Sequence, residues 1–124
     1  MEYMLICLET EAKFAERRDP AKADAYRGAW MAYVGAAYQA GIVRASGGLE
    51  PPETATSVRL RDGKRQVQDG PFGDSKEQLG GFFVIDVPNL DAALEWAARC
   101  PAAAYATVEV RPLMVAPAGA CATA

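Results

Sequence analysis

Apolar residues follow one another almost without break from Tyr3 to Leu8, which predicts a strand over residues 3–8 buried on both faces. The charged stretch over 9–18 reads as a loop. Asp19-Pro20 reads as a helix start, because an aspartate N-cap accepts free backbone N–H groups and proline at the first helical position loses no needed donor. Tyr26, Trp30, Tyr33, Val34 and Ala37 recur at helical spacing, and Gly41 can stop the helix, which spans about 20–40. A short apolar run over 42–46 predicts a second strand. Two alternating runs, 56–61 and 64–68, flank Asp62-Gly63, a strong signal for a tight hairpin. Its many charges imply exposure on one side.

Residues 69–80, rich in glycine, proline and charge, read mainly as a loop. Phe82 to Ile85 predict a strand over 81–87. Pro88-Asn89 ends that strand, and Asn89 can cap a helix whose apolar face is Leu90, Ala93, Leu94, Ala97 and Ala98, with Pro101 as its stop. A last strand runs over 105–113. Val108 and Val110 point to one face, Thr107, Glu109 and Arg111 to the other. Residues 116–124 are small, lack periodicity and read as a mobile tail, leaving one domain over 1–115. Without the hairpin the order is βαββαβ. That is an α+β, ferredoxin-like arrangement with both helices on one face of a largely antiparallel sheet.

Composition narrows the function. The 124 residues are 51% hydrophobic with a net charge of −3, enough to bury a core and unlike a nucleic-acid binder. No apolar run is long enough for a membrane span, and no signal peptide is legible, so a cytoplasmic location is expected. Cys7, Cys100 and Cys121 form neither a disulfide framework nor a metal motif, and histidine is absent. No metal and no cofactor is expected. Cys7, inside an apolar run, reads as a small buried hydrophobe.

The stretch Asp69-Gly70-Pro71-Phe72, followed by Lys76-Glu77 and Gly80-Gly81-Phe82, resembles the DGPF motif of the YCII-related family. Residues 48–56, Leu94-Glu95-Trp96-Ala97-Ala98 and Val108-Glu109-Val110-Arg111-Pro112 are similar to other parts of that family's pattern. The resemblance implies a ferredoxin-like fold that pairs through its open sheet face into a dimeric α/β barrel. It says little about reaction. Some relatives carry a His–Asp pair proposed as catalytic, but here the corresponding position falls at or near Trp30, so an imidazole base is not available. The family is also associated with extracytoplasmic-function sigma factors, which gives a non-catalytic interaction protein as the alternative to a small-molecule-binding or enzyme-like domain.

Within this frame Asp69 is the candidate catalytic residue, as general base or ligand anchor, although an aspartate before Gly-Pro also closes turns. Phe72 either plugs the core or walls a ligand. Lys76 and Glu77, adjacent in sequence, either pair with Arg111 or across a dimer, or are solvated. Glu109 and Arg111 would face the barrel cavity and there bind a small polar or anionic molecule, or bridge two subunits. Trp30 is a core residue or a ligand contact. Asp69, Lys76, Glu77 and Arg111 are expected to share one polar cleft, and the chain is expected to pair with itself.

Overall fold

The strand that opens the chain, β1 (Glu2–Thr10), lies in the middle of the sheet, and everything else is placed against it. The computed structural model describes residues 1–71, 73 and 75–115. Along β1 the side chains of Tyr3, Leu5, Cys7 and Glu9 are buried, while those between them are only half-buried. This is a period-of-two strand with one closed and one open face, not a strand enclosed on both. β5 (Glu77–Asp86) pairs with β1 on one side and β6 (Val108–Pro112) on the other, both antiparallel. β2 (Val43–Gly48) adds outside β5, so the order is β2-β5-β1-β6, the ferredoxin-like sheet expected from the element order.

The helices cover the closed face. Helix α2 (Ala23–Gln39) buries Tyr33 and Ala37 and presses Trp30 against the core formed by Leu5, Phe83, Ile85 and Val87. Tyr33 makes an edge-on contact with Phe83 at 5.4 Å and donates to the Trp96 carbonyl oxygen at 2.8 Å. Helix α3 (Leu90–Arg99) begins where Asn89 accepts a 2.9 Å bond from the Ala92 N–H, as its sequence predicts. Gly41, at φ +74°, ends α2 in the left-handed conformation that favours glycine. Cys7 and Cys100 meet inside, Sγ to Sγ 3.7 Å, as free thiols. The contact with Cys100 and burial push the Cys7 thiol far above its ordinary pKa, which suits a packing residue.

Several boundaries differ from the sequence expectation. The charged 9–18 stretch is not a loop: β1 continues to Thr10, whose hydroxyl caps a short helix α1 (Glu11–Glu16) by accepting from the Lys13 N–H at 3.2 Å. Phe14 is buried, so even one apolar residue anchors this helix. Asp19 does not cap α2. Its carboxylate accepts from the Ala21 N–H at 2.9 Å and its carbonyl from Lys22 and Ala23, closing a turn before the helix begins at Ala23. Glu77 to Gly80 belong to β5 rather than to the motif loop, and β2 is shifted to end at Gly48. Pro101 ends α3 but also opens α4 (Pro101–Tyr105), since proline is well suited to the first turn, and β6 therefore starts at Val108.

The hairpin is as predicted at its tip. β3 (Thr56–Arg61) and β4 (Lys64–Asp69) pair through Asp62 and Gly63, both at positive φ. It is exposed on both sides, not one.

Candidate active site

Glu9 occupies the fourth inward position of β1, where the alternation requires a side chain to enter the core. It is 1% exposed, the one buried charged residue among the described residues. Such a group is tolerated only if fully paired, because desolvating an ion costs several kcal/mol. Three donors converge on it. Arg17, at the end of α1, donates from Nη2 to Oε2 at 2.8 Å. Tyr105, from α4, donates to Oε1 at 2.8 Å. Tyr26, in the first turns of α2, donates to the same Oε1 through a very short bond.

Arg17 is itself held on every side. Its Nε donates to the Tyr26 hydroxyl at 3.1 Å, Nη1 to the Leu49 carbonyl and Nη2 also to the Gly80 carbonyl at 3.3 Å. The guanidinium lies over the Phe14 ring, 4.8 Å from its centroid, and 5.7 Å from that of Tyr26. Burial works against the Arg17 charge, but the bond to Tyr26 and the Glu9 carboxylate outweigh it and hold its pKa above the ordinary value. Burial, reinforced by the bond to Glu9, pushes Tyr26 up to about 12 despite the opposing influence of Arg17. Tyr105 is raised as well, by burial first and then by Glu9. Both phenols therefore keep their protons across the neutral range.

Gly80 makes the arrangement possible. A Cβ there would sit 2.8 Å from Glu9 Cγ and 3.0 Å from Cδ, so the acid and a side chain at this position exclude one another. The β1–β5 register slips at this point, Cys7 facing Gly81 and Leu8 facing Leu79, which leaves Gly80 as the extra residue of a bulge. Gly81 serves the neighbouring strand: its Cβ would lie 3.0 Å from the Gly47 carbonyl oxygen.

A cavity of about 260 Å³ opens beside this cluster, between α2 and the ends of β2 and β5. Glu9, Arg17 and Tyr26 form its polar end. Trp30, Val34 and Phe83 form its apolar walls, and Ser46 to Gly48 with Gly80 and Gly81 form its rim. The Trp30 and Phe83 rings are nearly parallel, 7° apart, with centroids 6.4 Å apart. The Trp30 indole N–H is buried without an aligned hydrogen bond, although it lies near enough to the Tyr105 hydroxyl to favour the phenolate slightly.

Of the residues expected from sequence, Trp30 is in this site and the others are placed elsewhere. Asp69 ends β4, exposed, across from Thr56. Phe72 lies outside the described residues. Lys76 lines a separate depression with Glu11, Arg18 and Glu53. Glu77 faces Thr10 at the start of β5, with Oε1 buried and unpaired. Glu109 and Arg111 pair with each other on the open face of the edge strand. Arg111 is opposite Met4 and Glu77 opposite Thr10, six residues apart along β1, or about 20 Å at ~3.3 Å per residue. One chain thus does not bring Arg111 and Glu77 into a common cleft. Sequence reading passed over Glu9, Arg17, Tyr26 and Tyr105. The available signal was phase: Tyr3, Leu5, Cys7 and Glu9 share one parity, so an acid stands where the core continues.

The family model for the YCII-related domain matches residues 1–116. The chain belongs to the YCII-related family. An uncharacterised protein of Rhizobium meliloti is 45% identical over 67 residues, which span 52% of this chain and 54% of that protein, so the similarity reaches about half its length. Among solved structures, this YCII-related chain is similar to 5-chloro-2-hydroxyhydroquinone dehydrochlorinase from Burkholderia phenoliruptrix, determined in complex with 2,5-dihydroxybenzoquinone. The match has a TM-score of 0.53 and 16% identity and covers 92% of this chain and 94% of the other. At that identity the likeness establishes the shared fold.

Proposed function

We propose that this YCII-related chain is a small-molecule-binding, enzyme-like domain whose site is the cavity beside Glu9, and that it takes a planar ring compound bearing hydroxyl or keto oxygens. The observation that carries this reading is a buried carboxylate, matched by three donors, at one end of a cavity with parallel aromatic walls. A flat ring stacks on such walls, and its oxygens meet Arg17, Tyr26 and the unpaired Trp30 N–H. The fold's likeness to a protein solved with a dihydroxybenzoquinone adds support. Tyr26 holds a proton next to an acceptor, the pairing that general acid–base chemistry uses. Asp69, Phe72, Lys76, Glu77, Glu109 and Arg111 are not called on for this site.

The same reading includes a homodimer and a cytoplasmic setting. Met4, Ile6, Leu8, Phe82 and Val84 lie half-buried on the open face of the sheet, and the Phe82 ring covers Gly47, 3.0 Å from where a Cβ would be. A second copy would cover that face. Free thiols in contact at Cys7 and Cys100 suit a reducing compartment. Among the described residues no helix is long and apolar enough to cross a membrane.

The test is calorimetric titration with 2,5-dihydroxybenzoquinone. The wild type should bind saturably, and Tyr26→Phe should weaken binding about tenfold, the worth of one hydrogen bond to a charged network. Trp30→Leu, which removes one wall, should weaken it at least as much. Absence of binding at millimolar ligand, or equal affinity in both variants, would sink the assignment.

A further inference from the structure

The hairpin is a separate two-stranded sheet whose strands pack on each other and on no other element to any extent. Only its base is tied down, by the Gly70 N–H to Ala55 carbonyl bond at 2.6 Å and by Ser57 Oγ donating to the Gly70 carbonyl at 2.8 Å. Directly paired residues of an antiparallel ribbon share a face. One face therefore carries Val58, Leu60 and Val67, which are 59%, 66% and 56% exposed. The other carries Ser57, Arg59, Arg61, Lys64, Gln66 and Gln68. An isolated two-stranded ribbon is marginal in water, and a stripe of three bulky aliphatics makes it more so.

The chain thus has two uncovered apolar surfaces, this stripe and the open face of the four-stranded sheet, and in one copy they do not meet. The charges favour pairing them between copies. The hairpin holds four cations, Arg59, Arg61, Lys64 and Arg65, against Asp62 and Asp69, an excess of two positive charges. The whole chain is −3, so the remainder carries −5 and attracts the arm. Reach is sufficient: six-residue strands span about 20 Å, whereas four strands side by side are about 14 Å across.

We propose that the hairpin is a docking arm that lays Val58, Leu60 and Val67 on a second copy of this chain. This goes beyond sheet-face pairing, because it assigns part of the self-association to residues outside the ferredoxin-like body. The arm acts as a clasp, and its cationic face is left toward the acidic surface of the partner.

Sedimentation equilibrium of the full chain and of a variant carrying Val58→Thr, Leu60→Thr and Val67→Thr tests the arm. Threonine keeps the strand preference while removing apolar surface. The wild type should self-associate, and the variant should dissociate about a hundredfold more readily, given what burial of three aliphatic side chains contributes. Circular dichroism should show both with the same secondary structure. An unchanged dissociation constant overturns the arm and leaves a sheet-face dimer standing. A wild type that stays monomeric at high micromolar concentration overturns both, and would leave the arm for a different protein, such as a regulatory partner.

Discussion

Replacing Glu9 by glutamine keeps the shape of the side chain and removes its charge, leaving Arg17 without its ionic partner. Breaking a buried pair by neutralising one member costs about 3–5 kcal/mol where the survivor is sealed off. Arg17 is not sealed off: 23% of its side chain is exposed, so water recovers part of the loss. The two phenols still find an amide oxygen, but a weaker acceptor than a carboxylate. About 2–4 kcal/mol of destabilisation is the result, which for a domain of this size lowers the melting temperature by roughly 10 °C. Guanidinium unfolding followed by circular dichroism measures it. Arg17→Met should cost a similar amount, and the double variant should fall short of the sum by about 1–3 kcal/mol, because each single change leaves the other member stranded. A Glu9→Gln loss below about 0.5 kcal/mol, the level of an ordinary surface change, or strict additivity in the cycle, would refute the view that the acid is held by its pairing.

Gly80→Ala would place a methyl 2.8 Å from Glu9 Cγ, and since three donors pin the acid, a loss of about 1–3 kcal/mol is expected in a thermal melt. Alkaline stability should fall from about pH 10, because Tyr26 is raised from 10.0 to about 12. The folded protein keeps that proton while the unfolded chain has lost it, so the contribution is complete below the unfolded pKa and disappears as pH rises through the folded one. Denaturant midpoints over that range should decline less steeply in Tyr26→Phe, and an equal slope would count against the assignment. Asn89→Ala removes the cap of α3 and should cost about 1 kcal/mol, read from the same unfolding curves, with no effect on ligand titration.

Where one local rule dominates, the sequence was a good guide. The Asp62-Gly63 turn, the Asn89 cap and the Gly41 stop each depend on a residue whose backbone preference is nearly decisive, and all three are in place. The order of elements then led to the sheet order, because few topologies accommodate it. Reading failed where tertiary contacts overrule composition. Glu9 to Glu16 has the charge of a loop, yet Phe14 and the paired Glu9 make it the end of a strand and a helix. The site was missed for the same reason. Arg17, Tyr26 and Tyr105 are far apart along the chain and have no motif spacing, and only the fold brings them to one carboxylate. Attention went instead to the motif beginning at Asp69, whose glycines at 80 and 81 do shape the site while its charged members point elsewhere.

The placement of β1 at the centre of the sheet also has a consequence for how the chain acquires its structure. Tyr3 pairs with Ile85 on one side and with Pro112 on the other, so the first strand to be made waits for nearly the whole chain before either edge is satisfied. Contacts of such long sequence separation slow the search for the native pairing. During synthesis the helix α2 and the exposed hairpin can form locally, but the carboxylate of Glu9 stays in water until Tyr105 arrives. The binding cavity is therefore among the last features to close, and a chain stalled before β6 would display an apolar strand with two open edges, a form suited to aggregation.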